Sequence, residues 1–210
     1  MASAAPYFVA IVGGTGSGKT TLARNIEQAM PRSAVAMLTH DSYYLPRPDL
    51  TSEERDHLNF DHPDALDNTL LVEHLDALRA GLAIDVPIYD FQTHLRRSST
   101  QRVEPAPVVL LEGILCLADP EVRSRMDLKL FVDTDADIRI LRRIKRDMAQ
   151  RARSFEQVCE QYYATVRPMH VEFVEPSKQW ADLIIPEGGN NGQAVNLIIS
   201  RLEQQARCVD

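Results

Sequence analysis

Apolar positions along the chain fall into short continuous runs separated by longer stretches with helical spacing. The runs Tyr7–Val12, Ala34–Leu38, Val108–Leu111, Leu128–Val132 and Leu183–Ile185 are brief and β-rich, the pattern of strands buried on both faces. Between them, Thr20–Met30, Asn68–Ala80, Asp137–Arg151, Phe155–Val174 and Gln193–Gln205 repeat apolar residues at helical intervals. Asp67 or Asn68, Asp119, Asp135 and Ser154 stand at helix starts as candidate N-caps. Strands alternating with helices predict an α/β fold with a central parallel sheet. Two segments interrupt the alternation. Residues 43–67 are rich in Pro and Asp, and residues 84–107 open with strand-like Ile84–Asp90 and continue as an Arg- and Ser-rich loop to Pro105 and Pro107. Ligands of open α/β sheets bind beyond the carboxyl ends of the strands, so both segments are expected to hold substrate.

At 210 residues the chain predicts a single domain, residues 1–210, with a core of ordinary size. Its composition is neither disordered nor collagen-like, and three cysteines are too few for a disulfide-stapled scaffold. The net charge of −7 argues against a dedicated nucleic-acid binder. One stretch is an exception: residues 139–153 carry seven basic side chains and a single acid, Asp147. An amphipathic helix with an apolar stripe at Ile138, Leu141, Ile144 and Met148 is the plain reading of that stretch. Cys116, Cys159 and Cys208 are scattered and form no metal-type pair, which suits a reducing cytoplasm. Neither a signal peptide nor a membrane span is expected, because the first apolar run stops at Gly13 and lacks a basic leader.

Residues 13–20 fit the pattern G-x-x-x-x-G-K-[ST] at Gly13, Gly18, Lys19 and Thr20, between a strand-like and a helix-like run. Backbone N–H groups of Gly13, Gly14, Thr15, Gly16, Ser17 and Gly18, continuing to Thr21, can curl around phosphate oxygens. Lys19 reaches the β/γ oxygens, and the Thr20 hydroxyl is a candidate Mg²⁺ ligand. GTPases would add Asn-Lys-x-Asp and Asp-x-x-Gly, and transport ATPases Leu-Ser-Gly-Gly-Gln; the sequence contains none of these. A small kinase remains. Asp41 and Glu112 each follow a strand-like run, so both carboxylates are expected at the sheet edge beside the loop, one for Mg²⁺ and one to accept a proton.

Further segments carry a resemblance: HDSYY (40–44), NFDHPDALD (59–67), PIYDFQTHLR (87–96), LLEGIL (110–115), LFVDTDADIRILRRIKRD (130–147) and VRPMHVEFVEPSKQWADLIIPEGGNN (166–191). In this order, with the phosphate loop, they resemble the uridine kinase (uridine-cytidine kinase) family of P-loop kinases, whose sisters are phosphoribulokinase and pantothenate kinase. The resemblance implies a three-layer α/β/α fold with nucleoside-binding insertions at about 43–67 and 84–107 and an Arg-rich lid at about 139–160. It implies transfer of the γ-phosphate of ATP, or of GTP in its place, to the 5′-hydroxyl of uridine or cytidine, with Mg²⁺. Asp41 matches the catalytic base and a metal-site acid, Glu112 the Mg²⁺ acid, and Asp61 the acceptor for the ribose hydroxyls. Tyr44, Tyr89 and His94 match the base site, where the two tautomers of a neutral imidazole suit either a 4-oxo or a 4-amino group. Arg143 matches a nucleoside-side contact, Arg146, Arg151 and Arg153 phosphate contacts, Gln161 a further substrate contact and Asn190 an adenine contact.

Two residues depart from the family pattern: His40 stands where Ser or Gln is expected, and Ala152 replaces a glycine between two arginines. His62 is expected to orient Asp61, His57 and His74 to lie on solvated helix faces, and His170 to pack or lie on the surface. The resemblance further implies a cytoplasmic homotetramer of pyrimidine salvage, restrained by UTP and CTP, with no nucleic-acid or membrane partner. Rival readings are a sister kinase acting on pantothenate or ribulose 5-phosphate, and a non-catalytic nucleotide-binding regulator.

Overall fold

A computed structural model describes residues 5–151 and 153–207. Cys208 and Ala152 lie outside the described residues. Five strands, β1 (Tyr7–Val12), β2 (Val35–Thr39), β5 (Val108–Gly113), β6 (Leu128–Asp133) and β7 (Leu183–Pro186), form one parallel sheet in the order β2-β5-β1-β6-β7. All five coincide with the predicted runs to within two residues at either end. The register sets Ile11 opposite Glu112, and Thr39 opposite Glu112 on the other side. The ends of β1, β2 and β5 therefore finish level, and the loops leaving them meet at one edge.

Side chains alternate along each strand, so the sheet feeds two cores. Val9, Ile11, Leu110, Leu130 and Val132 pack with Leu22 and Ile26 of α1 (Lys19–Ala29) and with Val195, Ile198 and Leu202 of α9 (Gly192–Arg207). Phe8, Ala10, Val109, Leu111 and Phe131 pack on the opposite face with Leu71, Leu75 and Leu78 of α3 (Asn68–Arg79). This is the expected three-layer α/β/α arrangement. Asp67 caps α3 by accepting from the Leu70 N–H, Asp119 caps α4 (Pro120–Ser124), and Ser154 forms a capping box with Gln157 on α6 (Phe155–Gln161). Asp135 precedes α5 (Ala136–Gln150) without a side-chain cap bond. A short helix in the first insertion, α2 (Ser52–Asp56), begins with its own capping box from Thr51 and Glu54.

Two sequence expectations need correction. The Arg- and Ser-rich segment after Ile84–Asp90 is not a loop but β4 (Leu95–Val103), antiparallel to β3 (Ile84–Asp90). A polar two-stranded ribbon with most of β4 exposed carries little apolar alternation, so its pattern reads as loop. The apolar stripe of α5 is also misassigned: Leu141 is 63% exposed, with Ile138 and Met148 outward as well, while Arg143 and Asp147 are the buried positions.

The predicted helix at Phe155–Val174 is a composite. α6, α7 (Arg167–Met169) and α8 (Glu175–Ser177) are joined by π-helical turns at Tyr162–Val166 and His170–Val174. Each wide turn lies just upstream of a proline, Pro168 or Pro176, whose ring collides with the carbonyl four residues back in a regular α-helix.

Candidate active site

The phosphate loop leaves β1 at Val12 and enters α1 at Lys19. Its conformation demands glycine at particular places. Gly16 has φ +78°, and a Cβ there would fall 2.3 Å from the Arg139 carbonyl oxygen. Gly13 has φ +154°, and its Cβ would meet the Val132 carbonyl oxygen at 2.5 Å. Gly16, Gly18, Lys19, Thr20, Thr21, Arg142 and Arg146 line a pocket of about 240 Å³ at the start of α1. Oriented N–H groups at a helix start, next to a lysine and two arginines, form an anion site.

The acids converge where the register requires. Thr20 Oγ1 donates to Glu112 Oε2 at 3.1 Å. Burial raises the Glu112 carboxyl above its usual range; Lys19 opposes this and Asp41 adds to it. Burial likewise raises Asp61, opposed by Arg143, Lys19 and Arg151 and reinforced by Asp41. Asp41 stands in the 3₁₀ turn His40–Tyr43 directly after β2. Asp41, Asp61, Glu112 and Lys19 thus share one electrostatic field. The hydroxyl of Thr20 and the carboxylate of Glu112 are hard oxygen donors of the kind Mg²⁺ accepts, with phosphate and water to complete its shell.

Arg139, Arg142, Arg143 and Arg146 turn toward the phosphate loop, which explains the inverted helix. Arg143, 4% exposed, donates to Thr15 Oγ1 at 3.2 Å and to Gln161 Oε1 at 2.8 Å. Arg146 donates to Asp147 Oδ1 at 2.8 Å, Arg151 lies 3.7 Å from the same carboxylate, and Arg143 lies 3.5 Å from it. Arg153 donates to Gln161 Oε1, and Arg151 also stacks over the Phe91 ring. Burial pushes the Asp147 carboxyl up, yet the three arginines outweigh it and hold Asp147 below the usual range. Sequence reasoning missed Asp147 as an organiser of this cluster, although a lone acid among seven bases was its signal.

The insertions supply an aromatic cluster. Tyr44, Phe60 and Tyr89 pack ring to ring at 5.1–6.4 Å, and His94 stacks on Phe60 at 4.6 Å. His94 is buried with φ +55°; its Nδ1 is 3.3 Å from the Tyr89 hydroxyl and its Nε2 is 3.5 Å from Asp56. Phe60 is a further member that sequence reasoning did not single out.

The sequence matches the Phosphoribulokinase / Uridine kinase family over residues 8–194. This chain belongs to that family. It is 54% identical over 198 residues to a protein named uridine kinase from Chloroflexus aggregans, covering 94% of this chain and 95% of that one. A uridine kinase from Clostridium botulinum strain Langeland is 48% identical over 198 residues, covering 94% and 96%. Among solved structures, phosphoribulokinase from Rhodobacter spheroides shares the fold with a TM-score of 0.63 at 14% identity, covering 88% of this chain and 71% of that one.

Within this family member several histidines differ from expectation. His74 is not a solvated helix group: its Nδ1 is 2.9 Å from the hydroxyl of buried Tyr43. His62 does not orient Asp61 but caps the turn Pro63–Ala65, accepting from the Asp64 N–H at 3.1 Å. His170 packs beside the phosphate loop, 3.0 Å from Arg139, while His57 is exposed as expected. Asn190 is exposed at the end of the turn Gly188–Asn190. That turn packs closely on α1. Gly188 has φ +63°, a Cβ on it would meet the Ser17 carbonyl oxygen at 2.9 Å, and Asn25 donates to the Gly189 carbonyl at 3.0 Å. Gly188→Ala is therefore expected to raise the KM for ATP with little change in kcat, as steady-state titration would read.

The raised Glu112 carboxyl gives a stability prediction. Its folded pKa exceeds its unfolded one, so its contribution is complete below the unfolded value, about 4.3, and is lost as pH rises through the folded value. Glu112→Gln removes that loss. The ligand-free variant is expected to melt above the wild type at pH 7, with the two curves converging near pH 4, as thermal scans across that range would show.

Proposed function

We propose that this chain transfers the γ-phosphoryl group of ATP to the 5′-hydroxyl of uridine and cytidine, giving UMP or CMP and ADP. The observation that carries the reading is the convergence of Asp41 and Glu112 at one sheet edge, with Lys19 and Asp61 in their field, between an anion-binding loop and an aromatic cluster. Asp41 accepts the proton of the attacking hydroxyl as the O5′–Pγ bond forms and the bond from Pγ to the β-phosphate oxygen breaks. A carboxylate at Asp61, set back among arginines, accepts from the 2′- and 3′-hydroxyls, so 2′-deoxynucleosides leave an acceptor unpaired. Mg²⁺, held by Thr20 and Glu112 with Asp41 beside them, would neutralise charge on the β- and γ-oxygens.

Tyr44 and Tyr89 give the base an apolar wall, and His94 gives it a switchable edge. The Tyr89 hydroxyl engages Nδ1, whereas the partner facing Nε2 is the largely exposed Asp56, which a base can displace. Arg146, Arg151 and Arg153 bring positive charge to the transferring group, where developing charge is stabilised more than ground-state charge. Arg143 and Gln161 connect that charge to the nucleoside side, and the turn at Asn190 borders the adenine. No helix among the described residues is long and apolar enough to cross a membrane. A cytoplasmic homotetramer in pyrimidine salvage, inhibited by UTP and CTP, completes the reading.

The test is incubation with Mg·ATP and a panel of uridine, cytidine, their 2′-deoxy forms, pantothenate and ribulose 5-phosphate, with products weighed by mass spectrometry. UMP and CMP are expected, with weaker deoxynucleoside turnover and none of the other phosphates. Neglect of either ribonucleoside at saturation would refute the dual role of His94.

A further inference from the structure

The departure at His40 has no part in the chemistry above, yet it occupies the position next to Asp41. It is 1% exposed and lies at the centre of a buried polar chain. His40 Nε2 is 2.8 Å from Asn68 Oδ1, and Asn68 Nδ2 donates to Asp119 Oδ2 at 2.9 Å. On the other side of the ring, Nδ1 is 3.4 Å from Cys116 Sγ.

These partners fix the tautomer. With the Asn68 amide nitrogen committed to the Asp119 carboxylate, its oxygen can only accept, so His40 must carry its proton on Nε2. Nδ1 is then the acceptor, and the Cys116 thiol donates to it. Burial disfavours charge on either group, lowering the His40 pKa and raising that of Cys116. The chain ends on a firm anchor, because Asp119 Oδ1 accepts from the Glu121 and Val122 N–H groups at 2.8 and 3.1 Å.

The chain joins the elements that must keep register in the active site. His40 opens the turn that carries Asp41, Cys116 lies four residues beyond Glu112, and Asn68 begins α3. Contact with β5 is direct as well: a Cβ on Gly113, the residue after Glu112, would fall 2.4 Å from His40 Cβ. We infer that His40 is a positioning residue that sets Asp41 relative to Glu112 through its donation to Asn68 and its packing on Gly113. The inference rests on the kinase reading of the site.

Two substitutions separate placement from bulk. The amide nitrogen of Gln overlies the Nε2 position, so His40→Gln keeps the donation to Asn68; His40→Leu keeps volume and loses it. His40→Leu is expected to lower kcat about tenfold to hundredfold, the scale of a small displacement of a reacting group. KM for Mg·ATP is expected to stay within about twofold of wild type, because the phosphate loop is not tied to His40. His40→Gln is expected to restore most of kcat. ¹⁵N NMR of the imidazole in the wild-type protein is expected to report the Nε2–H tautomer. Wild-type kcat in His40→Leu, equal kcat losses in both variants, or an Nδ1–H tautomer would each overturn the inference. An inactive wild type sinks the kinase reading instead, and the NMR measurement still tests the hydrogen-bond chain.

Discussion

Asp41→Asn is expected to bind nucleoside as the wild type does and to turn over about two to four orders of magnitude more slowly. Asn has the same shape, so the turn after β2 and its neighbours stay in place. What it lacks is the capacity to end the reaction holding a proton. Phosphoryl transfer is loose, so proton acceptance comes late and a carboxylate close to cations still serves. Removing the charge also relieves Asp61 and Glu112, both of which Asp41 pushes upward, so a small rise in the melting temperature of the ligand-free variant is expected. Calorimetric nucleoside titration beside a coupled kinase assay gives both numbers. Near-normal kcat removes Asp41 from the role of base.

Asp147→Ala is the second large effect, and it acts on folding first. Asp147 is fully buried between three arginines, and one of them, Arg143, has almost no contact with water. Removing the carboxylate takes away one of the two charges that compensate buried Arg143, leaving Asp61 and the neutral acceptors Thr15 and Gln161, a loss expected at the lower end of about 3–5 kcal/mol. Urea unfolding at pH 7 should show that difference, and kcat/KM for ATP should fall with it as Arg146 and Arg151 lose their common anchor. The pH dependence has a definite sign. Asp147's folded pKa is depressed, so its contribution is present above the unfolded value, about 3.9, and is lost as pH falls through the folded value. Wild type and variant should therefore converge only in strong acid. An undiminished free energy of unfolding at pH 7 would remove Asp147 from the centre of the cluster.

The sheet was legible in the sequence because strands buried on both faces have to be apolar at every position, as in Val108–Leu111. The phosphate loop was legible because its backbone geometry admits glycine almost alone, as at Gly16. Asp41 and Glu112 could be placed together from the strand ends they follow. Legibility failed where polar groups replace apolar ones as the packing agent. β4 shows no alternation because its partner is a ribbon rather than a core. Arg143 and His40 are polar residues whose burial depends on partners distant in sequence, Arg143 reaching Thr15 and His40 reaching Asn68 and Cys116, and Asp147 is buried only because Arg143 is drawn inward beside it. Periodicity carries no record of such pairings, and on α5 it pointed to the wrong face.

That inverted face governs how α5 can part from the phosphate loop. Ordinarily, lifting a helix off a protein wets its leucines, and the hydrophobic effect pulls it back. Here Ile138, Leu141 and Met148 already meet water, and the groups that separation would newly hydrate are mostly guanidinium ions and one carboxylate, with half-buried Ile140 and Ile144 as the apolar remainder. Water solvates those ions well. The helix is fastened mainly by charge that bulk solvent, or a triphosphate, can satisfy, so its release exposes little sticky surface and its return is governed chiefly by whichever anion lies beneath it.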